Sequence, residues 1–175
     1  MELEALRTKW AGLLPPLDAE EVAIMNAVIC NEGSTMYRLS RVTGLAISSA
    51  YRKTASLARR GLVKVERRGR AGTCRSTLKG LLACFARGCV DDGYLLGRIS
   101  SMFRNGGVEV GSQGELLALL SIAADSLASA AVDIRQPRDL VLSVIGHIMA
   151  DRRRVGDPPR ALVLGIIRDL EELLK

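Results

Sequence analysis

The sequence predicts a mainly α fold with a small β-hairpin, and three observations predict it. Apolar residues recur at spacings of three and four along most of the chain, the mark of helices with one buried face. Only the stretch from Val63 to Leu78 alternates with the period of two that strands require, around a tip rich in glycine and arginine. Charge divides the chain into two regions: residues 1–90 hold 15 basic against 7 acidic residues, and residues 91–175 hold 10 against 12. A basic domain over 18–90 and an all-helical region over 91–175 are therefore expected, the first facing a polyanion and the second facing protein.

The first helix, over 2–14, carries Leu3, Leu6, Trp10 and Leu13 on one seam and is stopped by Pro15-Pro16. It is a candidate partner helix that packs on the C-terminal domain or builds a dimer. Asp18 caps the next helix, about Ala19 to Asn31, whose stripe of Val22, Met25 and Ile29 with Ala23 and Ile24 marks a core face, and Gly33 ends it. Ser34 or Thr35 then caps a short helix holding Tyr37, Leu39 and Val42, and Gly44 follows where a left-handed turn residue is needed. The next helix, about 48–60, turns Ala50, Thr54 and Leu57 inward. Val63 and Val65 alternate with Lys64 and Glu66 to give a strand with one apolar face. Arg68-Gly69-Arg70-Ala71-Gly72 makes the tip, Thr73 to Leu78 returns, and Leu78, Leu82 and Phe85 form a further helix face.

Beyond Gly88 the pattern is helical throughout. Asp91 to Arg104 places Leu95, Ile99 and Met102 on one face, and Asn105-Gly106-Gly107 breaks it. Ser112 and Glu115 form a capping box before a Leu/Ala-rich helix running to about Val132. Pro137 begins another, with Leu140, Val141, Val144, Ile145 and Ile148 inward and Arg152-Arg153-Arg154 near its end. Asp157-Pro158 starts the last, striped by Leu162, Ile166, Leu170 and Leu173.

From Thr35 to Gly80 the order is helix, tight turn, helix, basic hairpin, helix, which looks like a winged helix-turn-helix. Gly44-Leu45, Ser48-Ser49, Leu57 and Arg60-Gly61-Leu62-Val63 fall at intervals that resemble the archaeal and bacterial winged-helix transcription regulators of the MarR, ArsR and PadR type. Thr77, Lys79 and Gly80 keep that group's pattern at the end of the second strand, and Ser76 replaces a larger apolar residue. The resemblance implies a transcription regulator that binds double-stranded DNA, an archaeal source, and a homodimer built by the terminal helices. The candidate dimer residues are Leu3, Leu6, Trp10, Leu13, Leu162, Ile166, Leu170 and Leu173.

Charge supports the same reading. Between Arg38 and Lys79 nine arginines and three lysines face one acid, Glu66. In a helix-turn-helix the second helix enters the major groove with small or hydrogen-bonding side chains leading, a demand that Ser48, Ser49 and Arg52 meet. Arg52 is placed for a bidentate contact to guanine, Lys53, Arg38 and Arg41 for phosphates, and Tyr51 for either side. Thr35, Ser56 and Arg59 complete the helical part of the candidate interface. Arg67, Arg68, Arg70 and Arg75 form a basic wing over 67–75 for the backbone or minor groove.

No apolar run reaches the roughly 18 residues that span a bilayer, and the acidic start is unlike a signal peptide, so a cytoplasmic protein without membrane contact is expected. Cys30, Cys74, Cys84 and Cys89 lack the paired spacing of a zinc site and read as core thiols, with a Cys84/Cys89 or Cys30/Cys84 bridge left open. Arginine outnumbers lysine by twenty to five, compatible with a thermophile. The single histidine, His147, sits among apolar helix residues, there is no glycine-rich phosphate loop, and no triad can be assembled. Neither enzyme activity nor a cofactor or metal is expected, and no effector is identified. Two other readings stand beside the regulator: a winged-helix docking module of a transcription or replication assembly, and a repressor with a ligand pocket among the C-terminal helices.

Overall fold

Capping side chains and αL glycines mark out the helices of the N-terminal region. The structure, a computed structural model, describes residues 3–68, 71–108, 110–129, 134 and 136–150, and for 67, 68, 71, 129 and 147–150 the backbone alone. The chain divides into two compact units, Leu3–Leu95 and the part from Leu96 onward. Arg70, Arg152-Arg153-Arg154 and the stripe Leu162, Ile166, Leu170 and Leu173 lie outside the described residues.

The first unit opens with α1 (Leu3–Leu13) and α2 (Ala19–Cys30). Asp18 caps α2 as expected: its carboxylate accepts from the Glu21 N–H at 2.9 Å, and Glu21 reciprocates by accepting from the Asp18 N–H at 3.2 Å. A short strand, β1 (Ser34–Thr35), leads into α3 (Met36–Thr43), then α4 (Ile47–Arg59). Strands β2 (Val63–Arg68) and β3 (Ala71–Ser76) form the hairpin, and α5 (Leu78–Arg87) returns to the core. The sheet is antiparallel in the order β1-β3-β2, with Cys74 opposite Val65 on one side and Ser34 on the other. The third strand was not expected. Two residues show no readable alternation, and only the fold brings them beside β3.

Strand order also corrects the hairpin's apolar face. Val63 is buried, but Val65 is 41% exposed, on an edge strand whose central neighbour β3 buries the paired Cys74. Ser76, in place of a larger apolar residue, is buried and satisfied: its N–H donates to Glu32 Oε1 at 3.2 Å and its hydroxyl donates to the same oxygen.

Helix α1 does not serve as a free partner face. Leu6 and Trp10 are fully buried within the first unit, where α1 packs on α5, so they are unavailable to a second copy, while Leu3 and Leu13 are half-buried. Arg7 secures the packing through ion pairs to Glu4 at 2.9 Å and to Asp92, with its guanidinium 5.8 Å from the centre of the Phe85 ring. This also corrects the assignment of the first helix to the C-terminal domain. The reason is the packing of α1 on α5, a contact between elements far apart in sequence that spacing along one helix does not reveal.

Two glycines are required by geometry. Gly44 adopts φ +71° at the α3 C-cap. Gly80, in α5, lets the helix lie on the backbone after α4: a Cβ there would fall 2.0 Å from the Leu62 carbonyl oxygen. That same oxygen accepts from the Thr77 N–H at 3.2 Å and the Thr77 hydroxyl at 3.0 Å, closing the base of the hairpin.

Helix α6 (Asp92–Asn105) follows, begun by the Asp91 carboxylate, which accepts from the Tyr94 N–H at 2.9 Å. In the second unit α7 (Gln113–Ser129) packs on α8 (Pro137–Ala150). Leu116, Leu119, Leu120, Ala123, Leu140, Val141 and Val144 are buried there. Ser112 caps α7 by accepting from the Glu115 N–H at 3.2 Å, but the Glu115 carboxylate reaches the N–H of Gly111 at 2.7 Å instead of that of Ser112. Ile148 lies beyond the described side chains. Among the described residues no helix is long and apolar enough to cross a membrane.

The cysteines are unbridged among the described residues. Cys74 and Cys84 are buried, Cys89 is half-buried, and Cys30 is exposed at the end of α2, which corrects its placement as a core thiol. Burial pushes the Cys74 thiol up to about 11, far from reactivity at neutral pH. A hydrogen bond between Cys84 and Cys89 raises the first thiol and lowers the second.

Candidate nucleic-acid interface

The turn between α3 and α4 is held by short side chains. Thr35 accepts from the Arg38 N–H at 3.3 Å to start α3, the Ser40 hydroxyl donates to Leu45 O at 2.7 Å, and the Thr43 hydroxyl donates to Leu39 O at 2.7 Å. The threonine expected at the interface is therefore also the cap of α3. Ala46 offers no side-chain cap to α4, so the first N–H groups of α4 lack a side-chain acceptor from that position.

Helix α4 has two faces. Ala50, Thr54 and Leu57 are fully buried, as their spacing requires. Opposite them Ser48, Tyr51, Arg52 and Arg59 are exposed, while Ser49 is half-buried. Lys53 and Ser56, expected on the outer face, turn toward α2. Lys53 Nζ lies 2.5 Å from Asp18 and 3.2 Å from Glu20, and Ser56 donates to Glu21 Oε1 at 3.4 Å. Arg60 also pairs with Glu21 and donates to Pro16 O at 2.9 Å. One carboxylate, Glu21, thus caps α2 and ties down α4. The reason for the correction is acidic: the first turn of α2 carries Glu20 and Glu21 behind Asp18, which draws these donors inward. The hydrogen bond from Lys53 holds Asp18 below the usual carboxylate range, assisted by the Glu21 N–H, and the same bond holds Lys53 above its usual value.

On α3, Arg38 and Arg41 are exposed, Arg38 donating to Asn31 Oδ1 at 3.2 Å. Arg75 is exposed on β3, its Nε 3.6 Å from Glu66, which also pairs with Lys64 at 3.0 Å. Arg67 and Arg68 occupy the end of β2, in register with Gly72 and Ala71. The backbone therefore brings Arg67, Arg68 and Arg75 to one hairpin, and Ser48, Tyr51, Arg52 and Arg59 to one helix face.

On α3 and α4 three exposed large hydrophobic residues fall outside the set expected from the sequence: Ile47, 53% exposed in the first turn of α4, and Tyr37 and Val42, 63% and 57% exposed on α3. Spacing gave no signal for the first: Ile47 stands three residues before Ala50 and seven before Thr54, on their stripe, yet it is exposed where the helix begins.

Helix, left-handed turn, helix and antiparallel hairpin in this order define a winged helix-turn-helix within a mainly helical chain. No family model and no curated protein matches the chain. Among solved structures it is similar to the PcaV transcriptional regulator from Streptomyces coelicolor in complex with its natural ligand, at 22% identity and a TM-score of 0.39, over 73% of this chain and 86% of that one. A second structure of that regulator gives the same identity and TM-score over 71% and 90%. So loose a likeness carries no functional argument.

Proposed function

We propose that the chain is a DNA-binding transcription regulator that lays α4 in the major groove of duplex DNA and its hairpin against the backbone or minor groove. The observation that carries this reading is the outward face of α4. Ser48, Tyr51, Arg52 and Arg59 are exposed there, within a segment from Arg38 to Lys79 bearing nine arginines and three lysines against one glutamate. Hydrogen-bonding groups on an exposed helix face, in a segment rich in cations, suit base edges flanked by phosphates. Arg52 has the planar donor fork that guanine accepts; Arg38, Arg41, Arg59 and Arg75 suit phosphates. Two copies joined through the C-terminal stripe of Leu162, Ile166, Leu170 and Leu173 would read half-sites about one helical turn apart.

A docking-module reading is favoured by one observation, the exposure of Tyr37 and Val42 on α3, at 63% and 57%. Fluorescence anisotropy on a random-sequence duplex across a salt series decides between the two. A regulator loses affinity steeply and linearly in log salt, and an adapter shows weak or flat binding.

A further inference from the structure

The first turns of α4 expose two apolar side chains that folding does not use. Ile47 is 53% exposed and Tyr51 60% exposed, although Ala50, Thr54 and Leu57 are fully buried and Ile47, three residues before Ala50, prolongs their stripe into the exposed first turn. Four residues apart, Ile47 and Tyr51 share one side of the helix, and Ser48 and Arg52, exposed and also four apart, lie directly beside them. The outward stripe thus alternates an apolar pair with a hydrogen-bonding pair.

We propose that Ile47 and Tyr51 read the 5-methyl groups of thymine in the major groove, next to the bases whose polar edges Ser48 and Arg52 address. The inference rests on the duplex-binding reading above and deepens it. The major-groove floor offers polar donors and acceptors at every base pair, and a single apolar group, the thymine methyl. An exposed isoleucine at the leading end of a helix aimed at that floor has this one group to bury itself against. Charge complementarity selects the occupant: Arg52, exposed, adjoins Tyr51, and the segment from Arg38 to Lys79 holds nine arginines and three lysines against one glutamate, which suits a polyanion better than another basic or apolar surface.

The test begins with the duplex selected from a random library, in which each thymine is replaced in turn by deoxyuridine, deleting the methyl alone. At one or two thymines the affinity of the unaltered protein should fall roughly fourfold, equivalent to about 0.8 kcal/mol for one buried carbon. Ile47→Ala should bind the thymine and deoxyuridine duplexes equally at one such position, and Tyr51→Ala should do so at the other. Both variants should keep the parent's thermal midpoint, because neither side chain is in the core. Equal affinity for thymine and deoxyuridine at every position overturns the proposal. So does an unchanged ratio in both variants, and so does undiminished affinity of the doubly substituted protein for the selected duplex, which would make this face a protein contact. Failure of the underlying reading is seen separately, as absence of salt-dependent binding to any unmodified duplex.

Discussion

Arg52 and Lys53 are neighbours with opposite fates, and the difference between them lies in α2. Arg52 points away from the core, while Lys53 is held by Asp18 and Glu20. Arg52→Ala is therefore expected to relax preference at one or two base pairs and to cost roughly 1–3 kcal/mol on the best site. Competition between the best duplex and single-base variants checks this; equal weakening on all of them would make Arg52 a phosphate contact. Asp18 gives a prediction in pH. Its folded-state pKa is depressed, first by the hydrogen bond from Lys53, so its contribution to stability is present above the ordinary carboxylate pKa and is lost as pH falls through the lowered folded value. With the carboxylate half exposed, the dependence should be shallow. Asp18→Asn keeps a capping side chain but removes the charge. Urea midpoints measured from pH 6 down to pH 2 should fall less for the variant than for the parent, and an identical slope would show that the pair does not couple to folding.

At the level of elements, the hairpin's position follows from how α5 meets the Leu62 carbonyl. Gly80→Ala would push a methyl into that oxygen and against Met25, where a Cβ would lie 2.9 Å from Cε. The expected loss is about 3 kcal/mol, at the upper end of overpacking costs, seen as a lower denaturant midpoint with unchanged slope. The hairpin itself carries the salt prediction. Replacing Arg68 and Arg70 together by alanine should weaken binding to all duplexes alike and lower the slope of log affinity against log salt by about one for each phosphate left without its arginine. An unaltered slope would take the wing out of the interface.

For the whole molecule, the assembly prediction rests on the C-terminal stripe alone, since Leu6 and Trp10 are buried with α5. Polar substitution at Ile166 is expected to convert a dimer to a monomer at micromolar concentration by sedimentation equilibrium, with the helical signal kept. The same substitution at Leu6 is expected to destabilise the N-terminal unit instead, by about 2–5 kcal/mol, since it opens a packed core. A monomeric parent that binds a palindromic duplex no better than a half-site would end the dimer reading.

Local rules were enough for much of this protein. The Asp18 cap, the αL glycine at Gly44, the inward set Ala50, Thr54 and Leu57, and the hairpin between Val63 and Ser76 each follow from a few consecutive residues, because capping, turn sterics and side-chain periodicity act over one or two turns of chain. The basic character of the segment from Arg38 to Lys79 is likewise a matter of composition. What tertiary structure alone decided involves partners far apart in sequence. Ser34 joins β3 through Cys74, Glu32 satisfies Ser76, Glu21 gathers Ser56 and Arg60, and α1 buries Trp10 with α5. Those interactions determine which cations and which hydrophobic side chains are occupied inside the molecule. Lys53, Ser56, Leu6 and Trp10 are engaged there, and Ile47, Tyr51 and Arg52 are left facing outward, because a side chain's availability depends on what the folded chain sets against it.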